Sequence, residues 1–405
     1  MLVRMAQAWD ARRVLARVPV VVLASVLAAS LVACGNDADE AAPDSPTASV
    51  PPRPEEPTAQ PTPEPSAPAA STPPAAPPEP GAVAQPRITD TVVTGLTSPW
   101  GLAFLPDGSA LVTERDTARV LRVEPGAATP LTTIGDVAFG GEGGLLGVAV
   151  SPEFATDRLV YLYATTPAGN RVLAATLEGD RLGEPEVLLD GIPSSRIHNG
   201  GRLAFGPDGM LYVSTGDASD TSLSQRPDSL AGKILRLTPD GEVPADNPDP
   251  SSPVWSSGHR NVQGLAWDDE GYLWASEFGA NTFDELNRIE PGGDYGWPQV
   301  EGTGGEAAGF VDPAVQWPTD QASPSGVAYA QGTVFMTALR GQRLWAVPVG
   351  GGRAGEPAEF FTGELGRLRS VATAADGSVW LMTNNTDTRG APRPGDDRIV
   401  RLELG

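Results

Sequence analysis

Gly101-Leu-Ala-Phe-Leu-Pro-Asp-Gly-Ser-Ala-Leu-Val-Thr113 reads as a strand, a tight turn and a second strand. Alternating apolar residues flank Asp107-Gly108, and a glycine there accepts the positive φ that a short hairpin turn needs. The pattern returns five times. The copies are Gly147-Val-Ala-Val-Ser-Pro-Glu-Phe, Arg202-Leu-Ala-Phe-Gly-Pro-Asp-Gly-Met-Leu-Tyr-Val, Gly264-Leu-Ala-Trp-Asp-Asp-Glu-Gly-Tyr-Leu-Trp, Gly326-Val-Ala-Tyr-Ala-Gln-Gly-Thr-Val-Phe and Ser370-Val-Ala-Thr-Ala-Ala-Asp-Gly-Ser-Val-Trp. Their starts lie 46, 55, 62, 62 and 44 residues apart. That spacing suits one four-stranded sheet per repeat, with loops of varied length. No segment carries a convincing amphipathic helical period. The expected fold is all-β, a six-bladed β-propeller spanning residues 87–405. Ile88-Thr-Asp-Thr-Val-Val-Thr and Arg398-Ile-Val-Arg-Leu-Glu-Leu are expected in the same last blade, closing the ring and removing sheet edges. A pair of β-sandwiches is the alternative, and the repeat count and spacing disfavour it.

Upstream of this domain the composition is different. Arg4, Arg12, Arg13 and Arg17 precede an apolar run from Val18 to Ala33, which ends Leu31-Val32-Ala33-Cys34-Gly35. That is the pattern of a secretory signal, residues 1–33, ending in small residues before a cysteine. It resembles a bacterial lipobox, which implies lipidation at Cys34 and an extracytoplasmic protein held to the membrane through that anchor alone. An uncleaved anchor helix is the alternative, although the run is a little short of the ~20 residues a spanning helix needs. Residues 34–86 are rich in Pro, Ala, Ser, Thr and Glu, and are expected to form a disordered tether. Cys34 is the only cysteine, so no disulfide is expected in a compartment that would permit one. The formal net charge of −23 argues against nucleic acid or anionic lipid as partners.

Histidine is the side chain best suited to moving protons near neutral pH, and the chain has two. His198 lies in Ile197-His-Asn-Gly-Gly-Arg202, and His259 in Gly258-His-Arg-Asn-Val-Gln-Gly-Leu265. In the second motif Arg260, Asn261 and Gln263 gather three hydrogen-bonding side chains at a strand entry. An arginine fork suits carboxylates. The acidic loop Glu277–Asn287 has Gly and Asn where carbonyls can turn outward, as oxygen ligands of Ca²⁺ would. Arg340 ends a strand, and Arg367 and Arg369 precede the sixth copy. A solvated acidic turn and a His satisfied within its loop are the plainer readings of these segments.

Taken together, Gly141-Glu-Gly-Gly-Leu-Leu-Gly147, the two histidine motifs, the Glu277–Asn287 loop and Asp294-Tyr-Gly-Trp-Pro298 resemble the soluble quinoprotein sugar dehydrogenases. Those enzymes depend on pyrroloquinoline quinone (PQQ) and oxidise glucose and other aldoses. The resemblance covers residues 90–404. It implies PQQ and Ca²⁺ as cofactors, a small-molecule sugar oxidised at C1 to the lactone, and a separate electron acceptor. It implies His198 as general base, with Arg260 polarising the quinone and, with Asn261, holding PQQ. Arg367 and Arg369 would contact its carboxylates. The Gly279 and Ala280 carbonyls would bind the Ca²⁺ on the cofactor, and Glu285 and Tyr295 a second, structural Ca²⁺. His259 takes a structural role.

Four positions depart from the family pattern. Glu142 stands where glutamine is usual, and adds negative charge near a triply acidic cofactor. Ile197 replaces an acid before the base, Arg340 a lysine that contacts the quinone, and Ala280 a proline. A non-catalytic propeller lipoprotein, binding a partner or envelope ligand on the same face, is the competing reading. A metal-dependent lactonase would instead need several side-chain Asp, Asn and Glu ligands at the axis.

Overall fold

The computed structural model describes residues 78–405, which fall within one unit, Pro73–Gly405. The signal segment, Cys34 and most of the expected tether lie outside the described residues. The described chain is almost all strand, with one four-residue helix, Phe154–Asp157, and two short 3₁₀ turns. It forms six antiparallel sheets. Their innermost strands are Pro99–Phe104, Leu145–Val150, Leu203–Phe205, Val262–Trp267, Pro324–Ala330 and Leu368–Thr373, which carry the six repeat copies in order. We number the blades 1 to 6 in that order.

Blade 6 closes the ring as the sequence leads one to expect. Its order from the outside is Pro86–Thr94, Arg398–Leu404, Val379–Thr383, Leu368–Thr373. The first two strands, from opposite ends of the domain, pair antiparallel from Pro86↔Leu404 to Thr94↔Arg398. The packed chain starts slightly earlier still: Ala84 is buried and donates its N–H to Thr333 Oγ1 at 3.0 Å.

Each blade buries one face on its neighbour, so every junction has its own apolar cluster. The junction of blades 6 and 1 joins Val92, Trp380, Met382 and Ile399 to Leu102, Val112 and Leu121. Each such side chain contributes roughly 1.5–3 kcal/mol on full burial. The ring therefore has no weak seam where the termini meet.

Near the axis, consecutive inner strands come very close, which is why the repeat opens on a small residue. A Cβ at Gly147 would stand 2.1 Å from the Gly201 carbonyl oxygen, and one at Gly264 2.4 Å from that of Ser325. Blade 3 has Arg202 in this position. Its side chain crosses the channel. Nε donates to the Gln263 carbonyl (2.7 Å) in blade 4, Nη1 to Ser370 Oγ (3.2 Å) in blade 6, and the guanidinium lies 4.3 Å from the Trp100 ring centre in blade 1.

Lys233 is the chain's one lysine. It is 1% exposed, and Nζ donates to the carbonyls of Leu223, Ser224 and Ala231 at 2.9, 2.7 and 2.9 Å. All three ammonium protons are used, and burial pulls its pKa down to about 8.

Candidate active site

An inner strand starts on one face of the ring, and its hairpin partner ends there. The loops on that face bring together His198, Asp217, Arg260, Trp297, Glu142, Arg367 and Arg369.

His198 is held at three points. Its backbone has φ +61°, uncommon for a residue with a side chain, and its N–H donates to Glu142 Oε2 at 2.9 Å. Gly200, two residues on, donates its N–H to Asn261 Oδ1 at 3.0 Å. The ring Nδ1 lies 2.7 Å from Asp217 Oδ1, and Asp217 Oδ2 accepts from Trp297 Nε1 at 2.9 Å. Burial pushes the Asp217 carboxyl upward. The bond and charge of His198, the Ser219 N–H and the Trp297 N–H outweigh it, and the pKa falls below the ordinary value. A carboxylate only accepts, so Nδ1 carries the proton and Nε2 presents a lone pair. Nε2 has no hydrogen-bond partner among the described residues. The arrangement is a positioned base with an anion behind it.

Motif reading missed Asp217, the carboxylate that holds the His198 ring. It had a signal: Leu203 pairs with Val213 in the blade 3 hairpin. Continuing that register past the strands sets Asn199 opposite Asp217.

Glu142 is not a loose negative charge. Its other oxygen, Oε1, accepts from Arg389 Nη1 at 2.9 Å. Burial pushes its carboxyl up, but the His198 N–H and Arg389 hold it below the ordinary range. The acid in place of glutamine is thus matched by a cation 247 residues away, and no local sequence signal marks that pairing.

Arg260 lies beside the acidic loop. Nη1 donates to the Phe278 carbonyl at 3.2 Å, and the guanidinium stands 5.5 Å from the Trp297 ring centre. The loop itself is shaped by Glu301. The N–H groups of Ala280, Asn281, Thr282 and Phe283 all donate to Glu301 Oε1, at 2.7, 3.0, 2.9 and 3.2 Å. With these amides turned onto one oxygen, the Gly279 and Ala280 carbonyls accept no hydrogen bond from the described residues. They are free hard oxygens of the kind Ca²⁺ takes.

Arg367 and Arg369 share Asp387, at 3.0 and 3.8 Å. Arg367 Nε is buried with no partner. Arg369 is buried, its Nη1 donates to Gln263 Oε1 at 2.8 Å, and burial pulls its pKa down to about 9. Arg340 is exposed on the same face and forms no ion pair with the described residues. One carboxylate among these guanidiniums, and one orphaned donor, fit a ligand carrying several carboxylates. Asn261 is buried, with Oδ1 already used on Gly200, so only its Nδ2 is left to offer.

The second expected metal position is less direct. Glu285 is buried. Its oxygens accept from Gly302 N (2.8 Å) and Asn287 Nδ2 (3.1 Å), and Asn287 Oδ1 is buried without a partner. Burial, and then the neighbouring Glu277, push the Glu285 carboxyl well above its ordinary value, which a bound cation would offset. A carboxylate and an orphaned amide oxygen suit a hard cation. The Tyr295 hydroxyl is spent, donating to the Arg288 carbonyl at 2.6 Å and accepting the Glu290 N–H at 2.9 Å; only its carbonyl is left for a metal. Among the described residues no three His, Cys, Asp or Glu side chains converge as a metal cage.

His259 is a structural residue here. It is buried, with ring nitrogens 2.8 Å from Ser256 Oγ and 2.8 Å from Glu277 Oε2, and it stacks on Tyr295 at 4.6 Å between ring centres.

Comparison with known proteins agrees with this geometry. A family model for glucose/sorbosone dehydrogenases matches residues 96–391. The structure of the PQQ-bound aldose sugar dehydrogenase from Streptomyces coelicolor is similar with a TM-score of 0.79 and 54% identity, over 80% of this chain and 100% of that one. Aldose sugar dehydrogenase YliI of Escherichia coli is 31% identical over 72% of this chain and 88% of its own length. Quinoprotein glucose dehydrogenase B of Acinetobacter calcoaceticus is 34% identical over 52% of each.

Proposed function

Because this chain belongs to the glucose/sorbosone dehydrogenase family, we propose that it oxidises an aldose sugar at C1 to the lactone, with PQQ and Ca²⁺ as cofactors. The observation that carries this reading is the His198–Asp217 pair, 2.7 Å apart, with Nε2 left free beside a cluster of arginines. When bound, PQQ supplies the acceptor for the electron pair leaving C1, and Ca²⁺ the charge that polarises it.

The chain's own residues do the rest. His198 Nε2 takes the C1 hydroxyl proton as the C1–H bond breaks and the carbonyl forms. Asp217 holds Nδ1–H and so keeps the tautomer, and stabilises the imidazolium that results. Arg260 offers a fixed cation beside the Phe278–Ala280 loop. Arg367 and Arg340 offer donors to cofactor carboxylates, with Arg369 behind them. Gly279 and Ala280 offer carbonyls to one Ca²⁺; Glu285, Asn287 Oδ1 and the Tyr295 carbonyl suit another.

The direct test is reconstitution. PQQ and Ca²⁺ added to purified protein should give the absorbance of a bound quinone and dye-linked oxidation across a panel of aldoses. Quinone binding without oxidation of any aldose would favour the non-catalytic reading, and no quinone binding would remove the cofactor as well.

We further propose that Cys34 is lipidated and that the protein works outside the cytoplasm on a membrane tether. The support is the sequence Leu31-Val-Ala-Cys-Gly35 after an apolar run. Cys34→Ala should release the protein from the membrane fraction. Brief proteolysis should then trim the Pro/Ala-rich segment and leave the propeller intact. A Cys34→Ala protein that stays with the membranes would overturn the anchor.

A further inference from the structure

The axial channel has a second mouth, on the face away from His198. A cavity of about 370 Å³ opens there, within the range of small-molecule sites. The residue after the alanine of each repeat copy lines it: Phe104, Val150, Phe205, Trp267, Tyr329 and Thr373. Arg202, crossing the axis between the two mouths, lines it too. No Asp or Glu does. In a chain of net charge −23, this cavity's one charged side chain in the lining is a cation.

That cation lacks a counter-charge. Arg202 is 6% exposed. Of its five N–H donors the structure partners two groups, Nε with the Gln263 carbonyl and Nη1 with Ser370 Oγ. Nη2 is buried with no partner. Burial alone moves its pKa, down to about 9, with no carboxylate pulling the other way. A buried charge without an opposite charge is unfavourable, and an anion is the partner that relieves it. The aromatic lining adds a preference for flat apolar groups.

We propose that this far mouth is a binding site for a small monoanion with a flat apolar body, an arene carboxylate by class. The carboxylate lies against the Arg202 guanidinium and the ring among Phe104, Trp267 and Tyr329. One cation balances one charge, which selects monoanions over polyanions. The inference is independent of sugar oxidation, since it uses the opposite end of the channel.

Benzoate is the probe. Full-length protein in chloride-free buffer is titrated by calorimetry and by tryptophan fluorescence, for which Trp267 is the reporter. Saturable binding of one benzoate per chain is expected, with Kd of about 1 mM or tighter. Benzyl alcohol and benzylamine, which share the ring without the anion, should not compete. Thr373→Glu places a carboxylate in the lining and should weaken benzoate by at least about tenfold, with sugar oxidation unchanged. Arg202→Met should abolish binding. No saturable binding overturns the proposal, as does competition by benzyl alcohol or unchanged affinity in Thr373→Glu. Chloride binding as tightly as benzoate also overturns it, because the apolar lining would then contribute nothing.

Discussion

His198→Ala should still bind PQQ, while aldose oxidation falls by about 10²- to 10⁴-fold, the range of a general base. The imidazole meets the protein through Asp217 and leaves Nε2 for the substrate. Removing it takes away proton transfer and no cofactor contact, so kcat should fall far more than cofactor affinity. Arg260→Ala should weaken both, because that guanidinium sits beside the loop that would carry the metal and quinone. Asp217→Asn should lower kcat with little change in KM, since an amide no longer enforces the tautomer. His259→Gln should leave the chemistry intact and lower the melting temperature, because His259 joins Ser256 to Glu277 inside the fold. Quinone titration and steady-state rates on the four variants check this. An inactive His259→Gln beside an active His198→Ala would reverse the two assignments.

Exhaustive removal of Ca²⁺ should lower the melting temperature, and Ca²⁺ added back should restore it. Metal bound only by the native state stabilises by about 2.7 kcal/mol at a hundredfold excess over Kd, or roughly 5 °C for a domain of this size. Two places in the fold motivate the expectation. The Gly279 and Ala280 carbonyls are left free while the loop's amides converge on Glu301. Glu285 is buried next to Glu277, with the unpartnered oxygen of Asn287 beside it. Glu285→Gln, which removes charge and keeps shape, should reduce the Ca²⁺-dependent rise. Metal analysis alongside calorimetry decides it: identical melting with and without Ca²⁺, and none bound, would sink the calcium reading.

The repeat could be read in the chain because its physics is local. A small residue where inner strands touch, an apolar pair and an Asp-Gly turn fall within a dozen positions, and six copies lie in register around the ring. Closure by the two terminal strands followed from the same logic. The site was legible only where a motif is contiguous, as at His198 and Arg260. Asp217 comes to His198 across a hairpin, and a register argument reaches it. Glu301 and Asp387 arrive from other loops of the same blades, and Arg389 reaches Glu142 from a different blade, a pairing that only the closed ring places. Glu142 illustrates the difference: alone it looked like unwanted charge, and beside Arg389 it is a neutralised strut under His198. Arg202 was visible as the one large residue in a slot otherwise held by Gly or Ser. Its path across the axis was not, because five blades had to be in place around it.

Lys233, with its ammonium enclosed by three carbonyls, has a practical consequence. Amine-directed reagents that label, cross-link or immobilise most proteins through surface lysines have nothing to grip on this propeller. Aldehyde fixatives and succinimidyl esters should leave the side chains of the folded domain almost unmodified. A lysine introduced at any exposed position would therefore be a unique handle, fixing the molecule to a support in one chosen orientation.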